Sequence, residues 1–156
     1  MTASADLPEG FVLPQRPRRN PFNELVGPFY ERRRGGDVSL GLRIEERHCN
    51  SRGICHGGLL TALADVALGY AALAHAKGPT SFVTVHLSMD FAGSAKVGDW
   101  IETEARVLKT GARLAFADCH LIAIAAGRSA RIARASAVFA LSGAAAPSAG
   151  GPAADR

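Results

Sequence analysis

The second half of the chain is dominated by apolar and polar positions that alternate with a period of two. Residues 80–91 set Val83, Val85, Leu87, Met89 and Phe91 against Thr84, His86, Ser88 and Asp90. Residues 100–108 place Ile101, Thr103, Ala105 and Val107 on one face, and residues 112–124 and 128–141 continue as strands. Turns at 93–98, 109–111 and 126–127 separate them. Upstream, Val38, Leu40, Leu42 and Ile44 give residues 37–47 the pattern of a half-buried strand. A polar loop from His48 to Gly53 then leads to His56-Gly57-Gly58. Residues 59–76 break the alternation: they are apolar nearly all round, relieved by Asp65, Gly69, Tyr70 and His75, and end at Lys77-Gly78-Pro79. This predicts one long buried helix. In residues 21–33, Phe22, Leu25, Val26 and Phe29 have helical spacing broken by Gly27-Pro28, which predicts a short helix or turn capping the domain.

The order is therefore strand, long helix, then an antiparallel meander of four strands. That is an α+β architecture in which a curved antiparallel sheet wraps one central helix. One helix cannot cover the whole inner face and both edges of such a sheet, so a second copy of the chain is expected against it. Residues 21–141 form the domain. Residues 1–20, rich in Pro and Arg, read as a flexible arm, and residues 142–156, rich in Ala, Gly, Pro and Ser, as a disordered tail. There is no internal repeat.

Composition narrows the function classes. The 156 residues are 47% hydrophobic and 21% charged, which suits a single core. No uninterrupted apolar run of bilayer length occurs, and no charged segment followed by an apolar block marks a secretory signal, so neither a membrane span nor export is expected. Three cysteines, Cys49, Cys55 and Cys119, suggest no disulfide framework and fit a reducing, cytoplasmic setting. The net charge is +4, with clusters at Arg16, Arg18, Arg19 and at Arg32, Arg33, Arg34. Without interleaved aromatics or a recognition helix these read as solvated faces, and nucleic acid is not expected as a partner. His48, Cys49, Cys55 and His56 share a loop but lack zinc-ligand spacing, so no metal is expected. Cys55 beside His56 is a poor nucleophile–base pair, because adjacent side chains in an extended segment point apart.

The loop-to-helix junction carries more chemistry. Gly57-Gly58 lets a substrate oxygen approach unpaired helix N–H groups, where a developing oxyanion gains about 2.7–4 kcal/mol per donor; a tight turn is the plainer reading. Asp65 has Thr61, Ala62, Leu68 and Gly69 as helical neighbours. Desolvation there would raise its pKa and make it a general base, unless it lies on the helix's one wet stripe. Asn50 offers an amide for a carbonyl or water, or forms a turn. His56 orients the loop or plays a structural part. Thr84, on the polar side of its strand, positions a water or is simply exposed.

The run Asn50-Ser51-Arg52-Gly53-Ile54-Cys55-His56-Gly57-Gly58, with Asp65 following in the helix, resembles the signature of the PaaI-like hot-dog thioesterases. Ala95-Lys96-Val97-Gly98-Asp99 and the stretch from Leu108 to Phe116 are similar to the same family, over residues 37–141. The resemblance implies a hot-dog fold, hydrolysis of acyl-CoA thioesters, and homodimers or tetramers built as dimers of dimers. It implies that Gly57 supplies the oxyanion N–H, that Asp65 activates water or attacks the thioester, and that Thr84 and Asn50 position the reactants. No cofactor is implied; coenzyme A enters as part of the substrate. Its phosphates call for basic residues, among which Lys109, Arg113 and Arg131 are candidates beside Lys96, Arg128 and Arg134. Strand alternation puts Arg128 and Arg134 on one side and Arg131 on the other.

Two rivals share the fold. A non-catalytic acyl-CoA sensor would need a DNA-binding module, which the chain does not show; a hot-dog dehydratase would use His56 with Asp65 for proton transfer. The acyl group is open among phenylacetyl, hydroxyphenylacetyl, aroyl and medium-chain fatty acyl. Gly57 and Asp65, about 12 Å apart along one helix, are expected to meet only across two chains.

Overall fold

The structure is a computed structural model that describes residues 7–15, 19–77 and 81–143. A six-stranded antiparallel sheet curves around one long helix. In chain order the elements are α1 (Pro21–Val26), β1 (Tyr30–Arg34), β2 (Asp37–Arg43), α2 (Gly57–Ala74), β3 (Ser81–Phe91), β4 (Trp100–Thr110), β5 (Leu114–Ala125) and β6 (Arg128–Ser142). The sheet order is β1-β2-β4-β5-β6-β3. This is the expected α+β hot-dog arrangement.

Helix α2 begins two residues earlier than its apolar run, because His56 caps it: Nδ1 accepts the Gly58 N–H at 2.9 Å. Leu59, Leu60, Leu63, Ala64, Ala67, Leu68, Ala71 and Ala72 are buried. Fully burying one such leucine contributes roughly 1.5–3 kcal/mol. By length and apolarity α2 also suits a bilayer, but here it lies in the concave face of the sheet. Thr61, Ala62, Asp65, Val66, Tyr70 and Leu73 are only half-buried, and they trace a stripe that the sheet does not cover.

Several expectations need correction. Residues 30–34 are not part of a capping helix but an edge strand, paired in register from Tyr30 opposite Gly41 to Arg34 opposite Asp37. The last four strands are not one meander: β4, β5 and β6 are, but β3 crosses to the far edge and pairs with β6. Residues 92–99 make the crossing, too long a link for a tight hairpin. They are fastened by Cys55 N–H to Ala95 O at 2.8 Å and by Lys96 N–H to Asp99 Oδ2 at 2.8 Å.

Two β-bulges overturn the assigned faces. A register shift between Thr84 and His86 lets Phe82 and Thr84 face α2 while Val83 and Val85 lie 69% and 62% exposed. Beyond the bulge, Leu87 and Met89 turn inward again. A second shift, where Leu121 opposes Ala133 and Ile122 opposes Arg131, puts Arg131 and Arg134 on the same outer face. Arg128, opposite Ala125, takes the other side.

The N-terminal arm is also not free throughout. Residues 7–15 run beside β1, with Val12 and Glu31 exchanging backbone hydrogen bonds at 3.0 and 2.8 Å. Phe11 is buried edge-on against Trp100, ring centroids 5.0 Å apart, with the Arg32 guanidinium over its other side. The arm's outer residues and the tail beyond 143, both expected to be disordered, lie outside the described residues.

Trp100 can lie flat on the outer face of the sheet only because Gly41 has no side chain. A Cβ at Gly41 would overlap Cζ2 of Trp100 and stand 2.8 Å from Cε2. Gly41→Ala is expected to destabilise the domain by about 1–3 kcal/mol through overpacking. Urea unfolding should show a lower midpoint at an unchanged slope.

Candidate active site

The loop before α2 is a miniature antiparallel ladder. Asn50 N–H donates to Ile54 O at 2.9 Å, and His56 N–H to His48 O at 2.8 Å. At its tip Gly53 N–H reaches Asn50 O at 2.9 Å, and Gly53 takes φ 70°, where a side chain is unfavourable. The Asn50 Oδ1 accepts the Arg52 N–H at 2.9 Å. Within one chain the Asn50 amide therefore closes its own turn, and its remaining hydrogen-bonding capacity is the NH2 group. On the other side, Ile54 pairs with Lys96. Two stretches of the family-like signature, 50–58 and 95–99, thus meet in space.

At the helix start, the half-buried Gly57 lies under Phe91, whose Cζ would be 3.3 Å from a Cβ at that position. Phe91 is 52% exposed at the end of β3, and nothing in the sequence marked it as part of the site. A separate recess at the helix start is walled by Phe22, Leu25, Val26, Leu59 and Ala62, with Arg47, His48 and His56 at its polar side. The Gly58, Leu59 and Leu60 N–H groups donate to His56, at its Nδ1 and its backbone oxygen, which leaves the Gly57 N–H as the helix-start donor for an incoming oxygen.

Asp65 is half-buried on the uncovered stripe of α2. Thr84 Oγ1 donates to its Oδ1 at 2.8 Å, which holds the carboxylate in one orientation. Thr84 reaches Asp65 for a reason other than strand polarity: the bulge after it turns it to the helix side. Gly57 and Asp65 stay about 12 Å apart along the axis. The structure thus brings Asp65 to Thr84, and His56 to Gly58, as separate groups on one helix.

The three basic candidates do not gather. Lys109 and Arg113 flank the β4–β5 hairpin, while Arg131 opposes Ile122, about 26 Å along β5 from Leu114. Arg131 points from the outer face toward Glu104, 3.7 Å away. Among the described residues no three His, Cys, Asp or Glu side chains converge as a metal would require.

Known proteins share this chain's family and fold. The thioesterase superfamily matches residues 52–128. A Pseudomonas aeruginosa protein named as an esterase is 47% identical over 119 residues, covering 74% of this chain and 86% of its own. The chain belongs to the thioesterase superfamily. Human acyl-coenzyme A thioesterase 13 is 36% identical over 93 residues, 60% of this chain and 66% of the human one. The PaaI protein from the phenylacetic acid degradation operon of E. coli superposes with a TM-score of 0.67 at 19% identity, over 78% of this chain and 83% of that one. The superfamily member described here has the PaaI-like hot-dog fold, and its enzyme class is thioester hydrolase.

His48 is a buried structural residue that the sequence reading placed only in a discarded metal set. Its Nδ1 accepts the Glu45 N–H at 3.0 Å, and its backbone oxygen holds His56. Burial pushes its pKa below the usual 6.5, and the nearby Arg47 charge adds to the effect. The unfolded chain then binds a proton that the folded one refuses. Stability from this group is present above about pH 6.5 and is lost as pH falls below it toward the depressed folded value. Urea midpoints should drop from pH 7.5 to 5.5, and His48→Gln should flatten that slope.

Proposed function

We propose that this superfamily member hydrolyses an acyl-CoA or aryl-acyl-CoA thioester to the carboxylic acid and free coenzyme A, in active sites shared between the two chains of a homodimer. The observation that carries the reading is the Thr84–Asp65 hydrogen bond on the half-buried stripe of α2. It fixes a carboxylate on the one helical face left for a partner. A second α2 laid antiparallel along that stripe brings Asp65 of one chain beside Gly57 of the other, and two-fold symmetry makes two sites. The open edge of β3, joined to the stripe through Thr84, leaves an unpaired strand beside Asp65 and supports association there.

In such a site the thioester carbonyl oxygen rests on the Gly57 N–H, with the Asn50 NH2 as a second donor. Asp65, as general base to a water or as nucleophile, delivers an oxygen to the carbonyl carbon. The negative charge that develops on the carbonyl oxygen is met by the preorganised donors, and collapse expels the thiolate of coenzyme A. His56 holds the helix start, and Thr84 holds Asp65. Lys109 and Arg113 at the hairpin end of the sheet are candidates for the nucleotide phosphates. Arg131, on the outer face, fits that role less well. The low identity to the phenylacetate-pathway protein leaves the acyl group to a substrate panel.

Free-thiol release from such a panel tests the activity. Asp65→Asn keeps the shape and should lower turnover on the best substrate by on the order of a hundredfold or more. Turnover within a few-fold of wild type would remove Asp65 from its role. Co-refolding Asp65→Ala with Asn50→Ala chains tests the sharing. Random pairing makes about half the dimers mixed, each with one intact site, so about a quarter of wild-type activity should return. A site within one chain would give only the mutants' background.

The mechanism uses no metal. Exhaustive chelation should leave turnover unchanged. Stoichiometric zinc with activity lost on its removal would instead support a role for His48, Cys49, Cys55 and His56.

A further inference from the structure

The loop ladder before α2 sets two cysteines opposite each other across its strands. Cys49 and Cys55 are cross-strand partners, and the hydrogen bonds flanking them, Asn50 N–H to Ile54 O and His56 N–H to His48 O, make them a non-hydrogen-bonded pair. In such pairs the Cα atoms stand about 4.5 Å apart and both side chains leave the same face of the ladder. That spacing lies at the short end of the range a disulfide spans, about 4.4–6.8 Å. We propose that Cys49 and Cys55 are a redox modification site, which hydrogen peroxide closes into a reversible disulfide across the loop that carries Asn50.

The two thiols differ as attacking and resolving groups must. Cys49 is half-buried and opens on a surface cleft bounded by Glu46, Asn50, Ser51, Gly53 and Val97. Cys55 is buried, and desolvation, with Cys49 beside it, pushes its thiol up to about 12. Cys49 is therefore the thiol that peroxide reaches. Its thiolate attacks one peroxide oxygen and becomes a sulfenic acid, as hydroxide leaves and is protonated to water. The Cys55 sulfur then attacks the Cys49 sulfur, loses its proton and expels a second water. Two thiols and one peroxide give one disulfide and two waters; a dithiol reductant reverses the change. Cys119, buried in β5 with its thiol also pushed up to about 12 by burial, has no such partner among the described residues and stays outside the cycle.

Closing the bond draws the pair toward the commoner disulfide spacing near 5.5–6 Å, so the strands part by about 1–1.5 Å. Asn50 follows Cys49 and His56 follows Cys55, and both move with it. This consequence rests on the thioesterase reading above. A 1 Å misplacement at a reacting centre can cost ~10²-fold in rate, and a reversible loss of turnover of roughly tenfold or more is expected.

Trypsin cuts after Arg52, between the two cysteines, which makes the test direct. The full-length protein is treated with hydrogen peroxide, quenched, alkylated in denaturant and digested. Peptides 48–52 and 53–77 should appear joined, two hydrogens lighter than their sum, and dithiothreitol should separate them. Cys119 should be alkylated throughout. Cys49 oxidised to the sulfinic acid with Cys55 still alkylated, or cross-links between chains, would overturn the site. Cys49→Ser should keep its turnover through peroxide treatment. A disulfide that forms without changing turnover overturns the regulatory consequence alone. A reduced protein that releases no thiol from any acyl-CoA overturns the thioesterase reading, and the linked peptides still decide the disulfide.

Discussion

An eighteen-residue helix whose one charged side chain is Asp65 can be neither left in water nor sealed from it. Leaving its leucines exposed forfeits the burial that holds the domain together, while sealing the carboxylate among them costs more than one hydrogen bond returns. The fold answers by turning the helix. Leu59, Leu63, Leu68 and Ala72 meet the concave sheet, and Asp65 comes out on the stripe with Thr61, Ala62 and Val66. The single charge thus sets the rotation of α2 within the sheet. That rotation decides which residues face outward and are offered to another surface.

The β3 bulge follows from the same constraint. A regular strand that buried Leu87 and Met89 would bury Val85 and Val83 as well and turn Thr84 outward, leaving Asp65 without its hydroxyl partner. The extra residue changes the phase once, so that one strand supplies Phe82 and Thr84 to the first half of its contact with α2 and Leu87 and Met89 to the second. Bulges recur beside functional groups because they re-aim a side chain without breaking the sheet. Here the exchange leaves two valines on the outer face of an edge strand, which is a poor arrangement for a lone chain in water and a useful one for an associating chain.

These features also separate what was legible in the sequence from what was not. Helix α2, strand β2 and the β4–β5–β6 meander were readable because each carries its own period. Asp65 stood out as a candidate because it is the one charge in an apolar helix, and Gly57 because it opens that helix; the structure adds the Thr84 contact of the first and the Phe91 contact of the second. Strand β1 was missed, since Glu31, Arg32, Arg33 and Arg34 have no alternation to show. The pairing of β3 with β6 was missed because partnership across the chain is not a local property. One-residue bulges are likewise silent in composition. They account for the wrong faces given to Val83, Val85, Thr84 and Arg131. Phe91 over Gly57 could not be found, as its contact depends on where the 92–99 crossover begins. The buried Phe11 was hidden in an arm whose Pro and Arg content looks disordered.

The two halves of the candidate site are held by unrelated devices, which bears on how the site is built. The half with Gly57 is fixed by the loop ladder and its seam to Ala95 and Lys96; the half with Asp65 is fixed by Thr84 and the bulge. Each can be rigid in a single folded chain, yet one straight helix keeps them about 12 Å apart. On the shared-site reading, folding prepares each half, and only docking sets the distance between them. Catalytic geometry then depends on how closely two α2 stripes approach. The small side chains along the stripe, Thr61 and Ala62 beside Asp65, permit a close approach. Changes at that seam would act on turnover while leaving the fold of each chain intact.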